Sequence, residues 1–426
     1  MRKILFILVA GSCASFVFLP AGASAQEEKF IEECGSVHAM EARKKFNPDL
    51  EKQMMEYENK IREFLLKHPD GKSSGVGANA VVTIPTVIHI VWNSSSDNIS
   101  DNTCNQMIQM LNDAFAKKNA SISQVPSVWQ PIAGDMGIQF CLAKRDPNGA
   151  STSGIVRKQT SETSFSDIGT NPNAIFFSSN GGDDAWDVTK YFNFWVCDIN
   201  GFNGYTYSPK TFTDPKYGCV IDYNFVLSGT VPHEAGHAFN LIHTWGDDAT
   251  GSCTGDDQVS DTPNEASKYS GFGCTFPVTD ACSPSSPGVM FMNFMDYGNC
   301  RVFFTQGQTV RANAVLSIPP YNALTTSSGC LPTDVNEVSM DNYVSVFPNP
   351  SEGNVFVNLD APVSGQVNLR IYNLVGEAVS EISEFYVPAV ASKIFKFSLA
   401  DQPDGIYFIE VNAGSKRITK KLMLDK

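Results

Sequence analysis

Apolar positions along the chain change period several times, and each change marks an element. Residues 81–92 are rich in β-branched side chains and predict a buried strand. Met107, Leu111 and Phe115 fall at helical spacing and predict a helix from about Asp101 to Lys118. Further apolar runs predict strands near 136–142, 191–197 and 218–223 and a helix from about Thr230 to Leu241. Strands that alternate with helices indicate an α/β or α+β domain.

The regions on either side of this pattern differ from it. Residues 41–67 are charged, contain no glycine and predict one or two surface helices, followed by a Gly/Ser linker up to residue 80. From about Asp341, short apolar runs separated by turn residues predict a β-sandwich of about 80 residues. We therefore expect a helical N-terminal segment and a separate all-β domain at the C-terminus.

The first 25 residues have the features of a Sec signal peptide. Two basic residues precede an apolar stretch that ends at Ala23-Ser24-Ala25, which predicts cleavage before Gln26. A transmembrane anchor is the alternative, but this stretch is short and interrupted. A lipoprotein cysteine at Cys13 is a weaker alternative, because Ala10 rather than a leucine lies three residues before it. We expect a secreted protein without a transmembrane segment.

Composition narrows the class of protein. The 426 residues are 42% hydrophobic, which is enough to build a substantial core. Their formal net charge of −14 disfavours nucleic-acid binding, since that depends on neutralising phosphates. Eleven cysteines indicate an oxidising compartment.

The sequence from His233 to His243 carries the strongest chemical signal. His233 and His237 are four residues apart on a predicted helix, so they lie on one face and can share a zinc ion. Glu234 is placed to take a proton from a zinc-bound water. His243 can reach the same ion only if the helix ends and the chain turns. Asn240 permits this turn, because asparagine is the commonest non-glycine residue at positive φ.

The window resembles the metzincin zinc signature H-E-x-x-H-x-x-G-x-x-H, with Asn240 in place of the glycine, an exchange that costs about 1 kcal/mol or less. Asn293-Phe294-Met295-Asp296-Tyr297 is similar to the Met-turn of the pappalysin family and its bacterial, ulilysin-like members, and the similarity covers about residues 80–325. The resemblance implies an α+β catalytic domain with a twisted mixed sheet and an active-site helix. It also implies that Met295 supports the site and that Tyr297 stabilises the transition state. Without the family, both would be read as core residues.

The segment Gly255–Pro263 resembles the calcium-binding loop of the same family. Asp257 and Asp261 offer carboxylate oxygens, and Val259 and Thr262 offer backbone carbonyls. The resemblance therefore implies Ca²⁺ as a second metal. A solvated acidic turn is the alternative.

The family pattern also implies two disulfides, Cys253–Cys282 and Cys274–Cys300, whereas the residues alone leave three pairings of these four open. Cys197 and Cys219 are candidates for a further pair, and Cys104, Cys141 and Cys330 are left unassigned. Cys34 could occupy the open zinc position through its thiolate and keep a zymogen latent, as in related metzincins. A disulfide from Cys34 to an unassigned cysteine is the alternative.

Substrate preference is harder to read. Bacterial pappalysin relatives that favour Arg or Lys after the scissile bond carry acidic residues shortly after the Met-turn tyrosine. Here Tyr297 is followed by Gly298, Asn299, Cys300 and Arg301. We therefore do not expect a strong basic preference at that position.

Residues 341–426 resemble the C-terminal sorting domain of type IX secretion cargo. The similarity lies in Val346–Pro350, Gly405–Ile409 and a Lys-rich last strand. It implies passage across the outer membrane and the type IX machinery as a partner. A generic carbohydrate- or protein-binding sandwich is the alternative.

These features combine into one prediction, a secreted zinc endopeptidase that acts on proteins or peptides, with Glu234 as general base. The alternatives are a catalytically silent, metal-stabilised binding or adhesion protein, in which Glu234 would have no use, and a zinc hydrolase of non-peptide amides. The expected domains are a signal peptide (1–25), a propeptide and linker (26–80), a catalytic domain (81–330), a linker (331–340) and an Ig-like sorting domain (341–426).

Overall fold

The computed structural model describes residues 34–37, 43–45, 47–72, 81–166, 172–247, 251–271, 273–332, 343–360, 365–386, 393–413 and 416–426. The chain divides into two compact units, one of residues 1–147 and 152–330 and the other of residues 148–151 and 331–426. The predicted signal peptide, Cys13 and most of both predicted linkers lie outside the described residues. Within the described part, no helix combines the length and apolar composition needed to cross a bilayer.

The first unit contains six strands and four α-helices with complete bounds, and residues 36–37 and 43–45 are also helical. The helices are α1 (Leu50–Lys67), α2 (Asp101–Phe115), α3 (Thr230–Ala238) and α4 (Gln306–Val315). The strands are β1 (Val82–Trp92), β2 (Ile138–Leu142), β3 (Ile155–Gln159), β4 (Phe192–Cys197), β5 (Gly204–Tyr207) and β6 (Gly218–Asp222). Short 3₁₀ helices cover Ala120–Gln124, Gln130–Ile132, Ala174–Phe176, Ser178–Asn180 and Tyr321–Thr326.

The six strands form one mixed sheet in the order β2-β1-β4-β6-β5, and β3 also pairs with β1. β1 is long enough to pair in parallel with β2 through its first half and with β3 through its second half. β4 and β6 continue the parallel arrangement, whereas β5 is antiparallel to β6 and forms one edge. The mixed sheet confirms the prediction, and its β5 edge lies beside α3.

The main core joins the sheet to the helices. Met107 and Leu111 of α2 pack with Ile88 of β1 and Ala235 of α3, and all four side chains are buried. Tyr57 and Ile61 of α1 belong to the same core and are fully buried. The N-terminal helix is therefore packed on the unit rather than extended into solvent.

The structure corrects several boundaries that the sequence predicted. α2 ends at Phe115 rather than near Lys118, because Lys117 adopts a positive φ of 54°. α3 ends at Ala238 rather than at Leu241, because the chain turns at Asn240. The sequence analysis missed β3 and β5, which are short and lack an apolar run.

The disulfides confirm one part of the sequence analysis and correct another. Cys253–Cys282 and Cys274–Cys300 are formed, and Cys141 pairs with Cys330. The suggested Cys197–Cys219 pair is wrong. Cys197 lies opposite Asp222 rather than Cys219 in the ladder between β4 and β6. The two thiols also belong to core clusters on different faces of the sheet, so both remain free.

The second unit contains two antiparallel sheets that share one apolar core. One sheet has the order β10-β9-β12-β13 and the other β11-β8-β7, and Leu369, Val357 and Ile409 are among their shared buried residues. The strands are β7 (Val344–Phe347), β8 (Asn354–Leu359), β9 (Gly365–Tyr372), β10 (Ala378–Tyr386), β11 (Lys393–Ser398), β12 (Gly405–Ala413) and β13 (Lys416–Leu424). This arrangement is the Ig-like sandwich that the spacing of apolar runs predicted.

Candidate metal centre

Three histidines meet where α3 ends and the chain turns back. His233 and His237 lie on one face of α3, one turn apart, because four residues complete about one helical turn. Asn240 has a φ of 63°, the left-handed conformation that the sequence predicted, and the turn brings His243 to the same point. All three side chains are at least 94% buried.

Each imidazole is held through its Nδ1 atom. His233 Nδ1 lies 2.6 Å from the carbonyl oxygen of Phe294, and His237 Nδ1 lies 2.8 Å from that of Leu241. His243 Nδ1 contacts the carboxylate of Asp247. Because these partners are acceptors, each Nδ1 carries the hydrogen, and each Nε2 keeps its lone pair.

The three Nε2 atoms face one another, an arrangement that suits a shared metal cation. His243 Nε2 lies 3.0 Å from His237 Nε2 and 3.2 Å from His233 Nε2. Tetrahedral zinc with Zn–N distances of about 2.0–2.1 Å places two nitrogens about 3.3 Å apart. Burial, followed by the neighbouring imidazoles, lowers the pKa of His233 well below its usual range and that of His237 to about 3. The rings of His233 and His237 are therefore neutral, the form that binds metal.

Cys34 supplies a fourth possible ligand. Its Sγ lies 3.7 Å from His237 Nε2, and the Cys34 sulfur and three histidine nitrogens all lie within 4.8 Å of one another. A tetrahedral zinc with one thiolate would place sulfur and nitrogen about 3.6 Å apart. Burial and the charge of Glu234 raise the pKa of the Cys34 thiol, and a bound cation is what would favour the thiolate. Cys34 is free of any disulfide, so the structure contradicts that alternative.

Glu234 lies beside this cluster and is fully buried. Its Oε2 accepts hydrogen bonds from the hydroxyls of Thr206 at 2.8 Å and Ser36 at 3.2 Å. Its Oε1 is buried and has no hydrogen-bond partner among the described residues. Burial raises the pKa of the Glu234 carboxyl, which is the direction that suits a group exchanging protons near neutral pH.

Tyr297 and Met295 close the site from the loop before α4. The Tyr297 ring lies 5.7 Å from that of His233, and its hydroxyl donates to the carbonyl oxygen of Cys34 at 3.1 Å. Met295 is fully buried, and a Cβ on Gly236 would stand 2.5 Å from its sulfur. Gly236 therefore allows the Met295 loop to approach α3 closely.

The segment around Cys34 lies along the β5 edge of the sheet. Gly35 N–H donates to the carbonyl oxygen of Gly204 at 2.8 Å, and Thr206 N–H donates to Ser36 Oγ at 3.0 Å. Arg43 donates to the carbonyl oxygen of Thr206, and its guanidinium lies 3.2 Å from the centre of the Tyr207 ring. The N-terminal segment is therefore hydrogen-bonded to β5, the strand nearest to Glu234.

The predicted calcium loop is separate from this cluster. Asp257 accepts hydrogen bonds from Val259 N–H and the Thr262 hydroxyl, and Asp261 accepts them from Thr305 and Gly307. Burial raises the pKa of Asp257 to about 7. In the described part of the chain, the cluster of Cys34 with the three histidines is the one grouping of three or more acidic, Cys or His ligands, and it does not include this loop.

Sequence reasoning missed the groups that orient the ligands. Thr206 and Ser36 are remote in sequence from Glu234, and no spacing rule points to them. Asp247 lies four residues after His243, so a search for an acceptor close to each histidine would have found Asp247. Trp245 lies between them in the sequence. The Trp245 ring stacks on His243 with 4.3 Å between centres.

A helix with two histidines and a glutamate, a third histidine after a turn and a methionine loop beneath them define a metzincin-type zinc metallopeptidase. Comparison with known proteins gives the family. The profile described as pregnancy-associated plasma protein-A matches residues 178–317, and that of a secretion-system C-terminal sorting domain matches residues 345–425. The chain belongs to the pappalysin family and is a secreted metalloendopeptidase with a type IX sorting domain.

Individual relatives agree with this assignment. An extracellular metalloprotease of Pyricularia oryzae is 30% identical over 263 residues, which are 56% of this chain and 76% of the relative. A promirolysin variant of Tannerella forsythia is 35% identical and superposes with a TM-score of 0.61, covering 70% of this chain and 97% of its own. Mature mirolysin of the same organism, in complex with a cleaved peptide, is 38% identical with a TM-score of 0.53 over 58% of this chain and 98% of its own.

Proposed function

We propose that His233, His237 and His243 hold a zinc ion and that Glu234 is the general base of peptide-bond hydrolysis. The convergence of the three Nε2 atoms beside a buried carboxylate carries this proposal. Bound Zn²⁺ supplies Lewis acidity that activates water and polarises a carbonyl group. The alternative of a silent binding protein gives no role to the Glu234 carboxyl.

The residues of the chain divide the remaining work between them. Glu234 Oε1 receives the proton of the attacking water and passes it to the leaving amine, while Thr206 holds Oε2 in place. The Tyr297 hydroxyl, which now donates to the carbonyl oxygen of Cys34, would donate to the scissile carbonyl of a substrate. Because an extended peptide can add to an open sheet edge, β5 supports the proposal that substrates bind as an additional strand.

We propose further that residues 26–80 form a propeptide that keeps the enzyme latent. The Cys34 sulfur lies next to the three histidines, and the Ser36 hydroxyl donates a hydrogen bond to Glu234. The carbonyl oxygen of Cys34 accepts the hydrogen bond of the Tyr297 hydroxyl. A substrate would need access to the metal, to Glu234 and to the Tyr297 hydroxyl, and the segment covers all three. Removal of the segment would therefore be the activating step.

Ca²⁺ is proposed at the Gly255–Pro263 loop. The Thr262 hydroxyl bonds to both the buried Asp257 carboxylate and the carbonyl oxygen of Val259, so two of the predicted oxygen ligands lie in one turn, which supports the proposal. If it is right, added Ca²⁺ should raise the thermal stability of the wild type, and Asp257→Asn should abolish the increase. An equal response in both proteins would contradict it.

The function is tested by cleavage of a peptide library. The zinc-loaded full chain, freed of its N-terminal segment by limited proteolysis, is mixed with proteome-derived peptides, and new termini are identified by mass spectrometry. We expect cleavage by the wild type, loss with a chelator, recovery with Zn²⁺ and no cleavage by Glu234→Ala. If the zinc-loaded wild type cuts nothing, the silent binding protein becomes the better interpretation.

A further inference from the structure

A cavity of about 340 Å³ opens between the start of α3 and the loop that follows Tyr297. Gly229 and Thr230 line it from the helix, and Gly298 and Arg301 line it from the loop. The mechanism described above uses none of these four residues.

The cavity lies next to the atoms that carry out the reaction. A Cβ built on Gly204 of β5 would stand 3.0 Å from both Glu234 Cγ and Thr230 Cγ2, so Thr230 lies directly beside the proposed base. On the other wall, Gly298 follows Tyr297, whose ring is next to that of His233. A peptide whose scissile bond lies at Glu234 would therefore direct the side chain of a flanking residue into this cavity.

Arg301 gives the cavity its charge. The guanidinium lies against Gly229, with Nε and Nη2 each 3.5 Å from the position that a Gly229 side chain would occupy. Nη1 donates to the backbone carbonyl oxygen of Asp296 at 3.4 Å. The carboxylate of Asp296 is fully buried and does not line the cavity. Among the described residues that do line it, Arg301 alone is charged, and a guanidinium keeps its charge at every physiological pH.

Asn203 adds a second polar group to the same cavity. Its side chain is only 7% exposed, and its Oδ1 has no hydrogen-bond partner among the described residues. As it stands, this buried oxygen suits a hydrogen-bond donor of a ligand, and the amide can serve a carboxylate only through its Nδ2. Rotation of this amide would turn its N–H groups toward an incoming carboxylate.

We propose that this cavity is a specificity pocket for an acidic side chain. It takes the Asp or Glu of one residue that flanks the scissile bond, and Arg301 binds the carboxylate. The proposal rests on the proposed peptidase function and names the substrate class of that site. A lysine or arginine side chain would place a like charge beside the Arg301 guanidinium, so the same residue that attracts acidic side chains excludes basic ones.

The test compares peptides that differ only at the two residues flanking the cleaved bond. Asp, Glu, Leu and Lys are placed at each position, and kcat/KM is measured with the activated, zinc-loaded full chain. We expect an acidic residue at one position to exceed Lys by about tenfold or more, because a charged pair replaces a like-charge contact. Arg301→Glu should invert this order, and Arg301→Lys should largely retain it. Lys158→Glu, which makes the same charge change at an exposed position of β3, should leave it unchanged.

The outcomes separate this inference from the function on which it rests. If Arg301→Glu does not fold, Arg301→Gln replaces it and should bring acidic and basic peptides to within about threefold of each other, since only the charge preference is removed. The pocket proposal is wrong if wild-type cleavage does not depend on the charge of the flanking residues, or if Arg301→Gln leaves the preference unaltered. Either result leaves the proposed peptidase function standing. Failure of the wild type to cleave any peptide overturns both.

Discussion

Glu58 and Arg311 form a bidentate ion pair that joins α1 to α4. Arg311 Nη1 and Nη2 donate to the two carboxylate oxygens of Glu58 at 3.0 and 2.6 Å, and Arg311 Nε donates to the carbonyl oxygen of Asn240 at 2.8 Å. The side-chain amide of Asn240 also donates to Glu58 at 3.2 Å. The proposed propeptide is thus bound to the turn between His237 and His243, at a second point besides Cys34.

Loss of this pair should loosen the proposed propeptide. Although burial opposes ionisation, Arg311 lowers the pKa of the Glu58 carboxyl, so the pair is charged at neutral pH. Glu58→Gln leaves the buried guanidinium of Arg311 without its ionic partner and should weaken docking by about 1–3 kcal/mol. We expect faster hydrogen exchange in α1 and faster proteolytic removal of the segment. Glu63→Gln, at an exposed position of the same helix, is the matched control. Equal rates for both variants would contradict this role of Glu58.

Asn240 should affect the latent and the activated protein in opposite directions. Asn240→Gly removes the strain of a side chain at φ 63° and should stabilise the activated enzyme by up to about 1 kcal/mol. In the full chain the same change removes the hydrogen bond to Glu58, so the segment should be lost faster. Thermal unfolding of both forms checks the prediction. Asn240→Val, whose β-branched side chain resists this conformation, should destabilise both forms, and a gain in stability would show that the turn is not strained.

Whether the sequence predicts a contact of this site depends on how far apart the two residues are along the chain. The segment from His233 to His243 lies within one helix and one turn. Helical spacing and the backbone preference of Asn240 were therefore sufficient to predict that the three histidines meet. Thr206, Ser36, Glu58 and Arg311 act through contacts between remote segments, and no local pattern announces them. Their side chains could be placed only once the packing of α1 and β5 was known.

The same limit explains the errors in the fold. β5 has the sequence Gly-Tyr-Thr-Tyr and is fully buried, so it shows neither a long apolar run nor alternation of apolar and polar residues. Cys197 and Cys219 are on neighbouring strands and still do not pair. Ladder register and the face of the sheet decide whether two thiols meet, and neither can be read from residue order.

Cys34 should control the activity of the full chain. Cys34→Ala removes the only non-histidine side chain of the metal cluster in the described part of the protein, so peptide cleavage should begin before the segment is removed. Activity should still rise when the segment is cut away, because Gly35 and Ser36 continue to cover β5. Cys104→Ala, another buried free thiol, should remain latent. A cobalt-substituted full chain should show thiolate-to-metal absorption that Cys34→Ala lacks, and latency equal to that of the wild type would refute the switch.

Acid stability should depend on Asp214. Burial opposes its ionisation, but the ammonium groups of Lys210 and Lys216 lower the pKa of Asp214 to about 2. Because the folded-state pKa lies below the unfolded value of about 3.9, the carboxylate stabilises the fold above that pH. This contribution, about 2 kcal/mol, is lost as the pH falls from about 4 to 2. Asp214→Asn should therefore be less stable at pH 7 and lose less stability over that interval, as measured by denaturant unfolding. The control is Asp187→Asn, which breaks an exposed pair with Lys190 and should lower the free energy of unfolding by less than about 1 kcal/mol. An equal loss of stability for both variants would show that the Asp214 cluster contributes no more than a surface pair.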